Sequence, residues 1–85
     1  MSYTVELSDT ARASIKALNK QTARRITQKL EQVKEQPFNY VKRLTGISLF
    51  SLRVGDYRVI MDIKTNQMLI FVMRIGHRKN VYDKH

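Results

Sequence analysis

The hydrophobic period of this chain changes near Pro37, and that change restricts the possible folds more than any other feature. Before Pro37 the spacing is helical. Ser8 is placed as an N-cap, and Ala11, Ile15 and Leu18 follow at i, i+4 and i+7. Asn19 lies near the end of this first helix. A second helix is predicted from about Thr22 to Glu35, with Ala23, Ile26, Leu30 and Val33 on one apolar stripe. Pro37 stops it, because it has no amide hydrogen and its ring clashes with the preceding turn. The few polar residues between the two stripes imply an antiparallel helical hairpin.

After a connector over Phe38–Ile47 the pattern becomes extended, and Leu49–Val54, Tyr57–Lys64 and Met68–Ile75 are predicted as strands. Val54-Gly55-Asp56-Tyr57 places glycine first in a two-residue turn, as a type II′ hairpin requires. Thr65-Asn66-Gln67 forms a second polar turn. The nearly continuous apolar run Met68–Ile75 implies a central strand covered on both faces. Tyr3–Leu7 alternates and reads as a first strand whose place in the sheet the pattern does not fix. The expected fold is α+β: one domain over residues 1–85, order β-α-α-β-β-β, a small antiparallel sheet with the helical hairpin on one face.

Composition narrows the function. A chain of 85 residues buries only about 60% of its unfolded surface, so most apolar residues are committed to the core. No cysteine is present, which excludes disulfides, thiolate metal sites and cysteine nucleophiles. No apolar run reaches the roughly 20 residues that span a bilayer, and Met1-Ser2-Tyr3-Thr4 lacks the plan of a signal peptide. The expectation is a soluble, cytoplasmic protein with no membrane partner. Sixteen Lys and Arg against seven Asp and Glu leave a net charge of +9, which favours a polyanionic partner. A membrane-surface helix would expose Trp, Phe or Leu opposite its basic face. The chain has no Trp, so nucleic acid is the better candidate.

The hairpin carries the first candidate site. A two-residue turn sets Arg53 directly across from Arg58, an arrangement that destabilises a sheet unless a counter-charge is present. Asp62, on the same strand face as Arg58, is one such counter-charge, and a bound phosphate is another. Arg74 closes the third strand of the meander, as a site residue or a structural strand end, and Arg78 and Lys79 follow it. Arginine grips phosphate oxygens bidentately and keeps its charge. Tyr82 either stacks on a base, serves as general base, or pins the C-terminus to the core. His77 is a possible proton shuttle. A metal site from His77, Asp83 and His85 has no supporting ligand spacing, and neither metal nor cofactor is expected. A second basic cluster, Lys20, Arg24, Arg25 and Lys29, is either a solvated helix face or a contact surface for a large RNA, and Lys42 and Arg43 in the connector are candidate RNA contacts as well. This toolkit suffices for one reaction. RNA supplies its own nucleophile, the 2′-OH, so a protein need only orient the scissile step, stabilise the added negative charge and move protons.

Three segments, Val41–Gly46 (VKRLTG), Leu52–Ile60 (LRVGDYRVI) and Arg74–Tyr82 (RIGHRKNVY), together with the opening strand and helix pair, resemble the RelE/ParE toxin superfamily over nearly the whole chain. The resemblance implies a toxin of a type II toxin–antitoxin system, partnered by an acidic, RelB-like antitoxin that folds on binding. In the RelE branch it implies a ribosome-dependent endoribonuclease, an mRNA interferase acting in the ribosomal A site. Carried over by position, Arg58 matches the arginine that contacts the scissile phosphate. Arg78 matches the one that stabilises charge or protonates the leaving group, and Tyr82 matches the stacking tyrosine and possible general base. Arg53 matches an accompanying basic position. The general base stays open among Tyr82, His77 and solvent. The chain departs from some RelE members at Leu49, Phe50 and Ser51, where they carry basic residues. Two alternatives therefore stand beside the nuclease: a ParE-like toxin directed at DNA gyrase, and a weakly active or inactive homologue that binds RNA or antitoxin.

Overall fold

The two helices sit closer together in sequence than their apolar stripes imply, because Asn19 belongs to the second. In the computed structural model, which describes residues 2–78, helix α1 spans Asp9–Ala17 and α2 spans Lys20–Val33. Ser8 caps α1 by accepting from the Ala11 amide, as expected. Asn19 caps α2 instead of closing α1, its Oδ1 accepting from the Thr22 amide at 2.8 Å. Its short side-chain acceptor satisfies an amide that has no partner within the helix. After α2, Pro37–Asn39 forms a single 3₁₀ turn, anchored by an edge-to-face contact of Phe38 with Phe50 at 5.5 Å.

The strands are β1 (Thr4–Leu7), β2 (Lys42–Arg43), β3 (Phe50–Val54), β4 (Tyr57–Lys64) and β5 (Leu69–His77), in sheet order β1-β5-β4-β3-β2. Two features differ from the sequence expectation. The connector contributes the two-residue edge strand β2, too short to leave a period in the sequence. The first strand lies at the opposite edge, parallel to β5, so the sheet is mixed rather than antiparallel. The β3–β4 hairpin has the expected register, with Val54 opposite Tyr57 and Arg53 opposite Arg58. Gly55 has φ of +60°, the left-handed region that side chains with a Cβ avoid.

One face of the sheet carries the helices. Leu52, Val59, Met61, Ile63, Ile70, Val72 and Ile75 meet Ala11, Ile26, Leu30 and Val33 in one buried cluster. Here β5 corrects its sequence reading. Its other face is not covered among the described residues: Phe71 is half-buried, and Met73 and Arg74 are exposed. The uninterrupted apolar run has a different cause. Met61 pairs with Val72 but Ile60 pairs with Arg74, so Met73 is an extra, bulged residue. A bulge reverses side-chain alternation, which brings Ile70, Val72 and then Ile75 all to the helix side. Ser8 fastens the bulge: its hydroxyl donates to the Met73 carbonyl at 2.7 Å, and its amide to the Val72 carbonyl at 2.8 Å.

The Asn19 cap gives a direct test of the helix boundary. Asn19→Ala should cost about 1 kcal/mol of unfolding free energy in urea titrations, whereas Asn19→Gly should cost only a few tenths. Equal, negligible effects would place Asn19 back at the end of α1.

Candidate functional site

The pairing that buries one sheet face determines what the other presents. Opposite the helices, one row runs Lys42, Ser51, Ile60, Arg74 across β2, β3, β4 and β5, and the next runs Arg53, Arg58, Gly76. Partners directly across a sheet share a face, so these two rows lie side by side. Gly76 presents no side chain next to Arg58. Ser51 and Ile60 are 6% and 2% exposed, so this face has a buried floor although it carries no helix.

Above this floor lies a cleft of about 470 Å³, bounded by Lys42, Arg43, Arg53 and Arg58 with the hydroxyl-bearing Tyr40, Thr45 and Ser51. Arg58 is half-buried, with its Nη1 shielded from solvent. Arg53 is exposed, and its Nε donates to the Gly55 carbonyl at 3.3 Å. Asp62 does not supply the nearby counter-charge that the sequence allowed. Its carboxylate lies 3.6 Å from the Lys64 ammonium, in the row beyond Ile60. Lys42, Arg43, Arg53 and Arg58 thus border one cleft, and a phosphate seated there would meet charge-assisted donors from several sides.

Arg53 also borders a second cleft of about 290 Å³, whose other wall is α2 through Arg25, Gln28, Lys29 and Gln32. Glycine at position 55 makes room for this approach: a Cβ there would come 3.2 Å from the Arg25 Nη2. Arg25 and Lys29 thus join the hairpin arginines in one basic band. Lys20 and Arg24 are exposed on the same helix and border neither cleft.

The remaining candidates divide. Arg74 lies on the cleft face, one row from Arg58, and owes that position to the Met73 bulge. Arg78 follows β5, where its amide donates to the Asp56 carbonyl at 2.8 Å, so its backbone adjoins the hairpin turn. His77 pairs with Tyr57 on the helix side and makes an edge contact with its ring at 5.6 Å. That face is opposite the one that carries Arg58. Lys79, Tyr82, Asp83 and His85 lie outside the described residues. Sequence reasoning missed Tyr40 and gave Lys42 only a general binding role. The signal available was a tyrosine two residues before a Lys-Arg pair, and nothing in it revealed the pairing of Lys42 with Ser51. Lys42 thereby places a cation beside the position where β3 itself lacks one.

A mixed five-stranded sheet with two helices packed on one face is the build of RelE/ParE superfamily toxins, and its likeness is to the RelE type. Residues 5–82 match the model of the ParE toxin of type II toxin–antitoxin systems, parDE, and the chain belongs to that family. The RelBE2 toxin–antitoxin complex of Mycobacterium tuberculosis contains a chain 25% identical to this one, with a TM-score of 0.85 over 92% of this chain and 100% of that one. In the RelE–RelB complex of Pyrococcus horikoshii the identity is 24% and the TM-score 0.81, over 94% and 99% of the two chains. The isolated RelE toxin of Escherichia coli is 20% identical, with a TM-score of 0.78 over 98% and 94%. Comparison with curated proteins by sequence finds no match. No helix among the described residues is long and apolar enough to cross a membrane.

Facing arginines make a measurable prediction. Arg53→Gln should raise thermodynamic stability by up to about 1 kcal/mol at low ionic strength, with the gain shrinking as salt rises. Added phosphate should stabilise the wild type more than the variant. A loss of stability on substitution, at every salt concentration, would show that the pair is not repulsive in the folded state.

Proposed function

We propose that this toxin is a ribosome-dependent endoribonuclease that cleaves mRNA in the A site by attack of the 2′-OH on the adjacent phosphate. The observation that carries this reading is the convergence of Arg53, Arg58, Lys42 and Arg43 on one cleft over a buried floor. In-line attack adds negative charge to the scissile phosphate. Preorganised cations in a partly desolvated site stabilise that charge more than they stabilise the ground state. Arg58, the more buried arginine, is assigned to the scissile phosphate, with Arg53 beside it. Lys42, paired with Ser51, takes the place of the basic residues that other members carry at the positions of Leu49, Phe50 and Ser51, which argues against an inactive homologue. Arg74 extends the cationic row. Arg78 and Tyr82 keep the roles the resemblance gives them, charge stabilisation or leaving-group protonation for the first and base stacking or proton abstraction for the second. The band through Arg25 and Lys29, with Lys20, Arg24 and Lys79 as outlying charges, is assigned to phosphates of the ribosome and the bound message.

Antitoxin binding belongs to the same reading. Solved relatives are RelE–RelB complexes, and a surface of +9 suits an acidic, RelB-like chain that orders on binding. The family match favours one other reading, a ParE-like toxin acting on DNA gyrase. That activity would not depend on the arginine cleft.

Inducible expression with primer extension on a translated reporter separates the two. Wild type should cut within codons only while translation runs. Arg58→Ala should reduce cleavage at least about a hundredfold, and Lys42→Ala should reduce it by a smaller factor, on the order of tenfold. Growth arrest with intact mRNA and a DNA-damage response, unchanged by either substitution, would select the gyrase reading.

A further inference from the structure

Among the described residues Tyr40 is one of four large apolar groups left exposed, with Phe38, Ile47 and Met73, and of these four it alone lines the cationic cleft. Burying it would add to the core, yet it is 42% exposed and lines the cationic cleft beside Lys42, Arg43, Arg53 and Arg58. Its position is fixed from two sides. The Tyr40 amide donates to the Pro37 carbonyl at 3.1 Å, and the turn itself is anchored through Phe38 on Phe50. The Lys29 ammonium lies 5.1 Å from the ring centroid, within cation–π range. A ring held this way loses little conformational freedom when a flat partner docks on it.

Single-stranded nucleic acids are recognised by a pairing of this kind, cations for the backbone and an aromatic face for a base. We propose that Tyr40 is a stacking platform for a nucleobase next to the phosphate held by Lys42, Arg43, Arg53 and Arg58. This inference rests on the RNA-cleaving reading and gives it a base subsite on the β2 side of the cleft. The ring selects a nucleotide by its π-face and not by base-edge hydrogen bonds, so the subsite tolerates any base but requires one. Lys29, over the ring and on the wall of the second cleft, links the stacked base to the basic band on α2. The phenol hydroxyl has no part in the stacking, which separates this role from proton transfer.

The test is equilibrium binding to ribosomes programmed with an mRNA carrying 2′-deoxy sugars in the A-site codon, so that nothing is cleaved. Wild type, Tyr40→Phe, Tyr40→Leu and Tyr40→Ala are compared, with an abasic nucleotide placed at each codon position in turn. Stacking predicts affinity within about twofold of wild type for Phe and roughly ten- to hundredfold weaker for Ala and Leu. It also predicts one abasic position at which the variants become equal to wild type. The Leu variant keeps apolar bulk, and thermal unfolding of each variant checks that the fold is retained. Unchanged binding by a folded Tyr40→Ala protein overturns the proposal, as does a loss that persists with every abasic message. On the all-ribose message Tyr40→Phe should cleave as wild type does, and a loss of cleavage there at unchanged affinity would overturn the separation of this role from proton transfer. If the wild-type protein leaves programmed ribosomes unbound, the RNA reading itself fails, and the base subsite with it.

Discussion

The register of the β3–β4 hairpin controls most of what this molecule presents to its surroundings. A turn of Gly55 and Asp56 fixes Arg53 against Arg58, and the same register sets Leu52 against Val59 and Phe50 against Met61. One residue of slippage would turn the arginines toward the helices and the core residues toward solvent. Burial on one face thus enforces the charge arrangement on the other. The apolar cluster under α1 and α2 holds this register, and with it the two arginines on facing strands. Glycine at position 55 serves the turn through its positive φ and also admits the Arg25 guanidinium from α2.

The second constraint is the bulge in β5. Without the extra residue at Met73, strict alternation would place Arg74 on the side of Val72, inside the helix-covered core. With it, Arg74 joins Ser51, Ile60 and Lys42 on the open face, and His77 moves to the helix side beside Tyr57. One inserted residue therefore admits an arginine to the cleft row and sets a histidine on the opposite face. The bulge carbonyl bonds to the Ser8 hydroxyl that caps α1, so the irregularity is part of the seam between helix and sheet. It is also the seam at which the parallel strand β1 meets β5.

Where the sequence signal was local, it was legible. The Ser8 cap, the stripe on α2, the Gly55 turn and the Arg53–Arg58 pairing depend on residues close together in the chain, and periodicity or turn chemistry exposes each of them. Asn19 was misplaced for a similar reason, since asparagine is common at both helix ends and only the hydrogen bond to Thr22 decides between them. The cleft was half legible. Arg53 and Arg58 follow from the hairpin, but Lys42, Arg43 and Tyr40 arrive on a two-residue edge strand and at the end of a single 3₁₀ turn, neither long enough to carry a period. Their proximity to Ser51 and Arg53 is a matter of long-range pairing.

By itself, then, the sequence determined the α+β class, the helix pair, the meander and the excess of cations over a cysteine-free core. These follow from side-chain spacing, turn chemistry and charge, which act over a few residues. Tertiary structure decided which edge receives β1, where the bulge falls, and which cations share a cleft. Those outcomes depend on hydrogen bonds and burial between segments tens of residues apart, whose relative free energies no local pattern encodes.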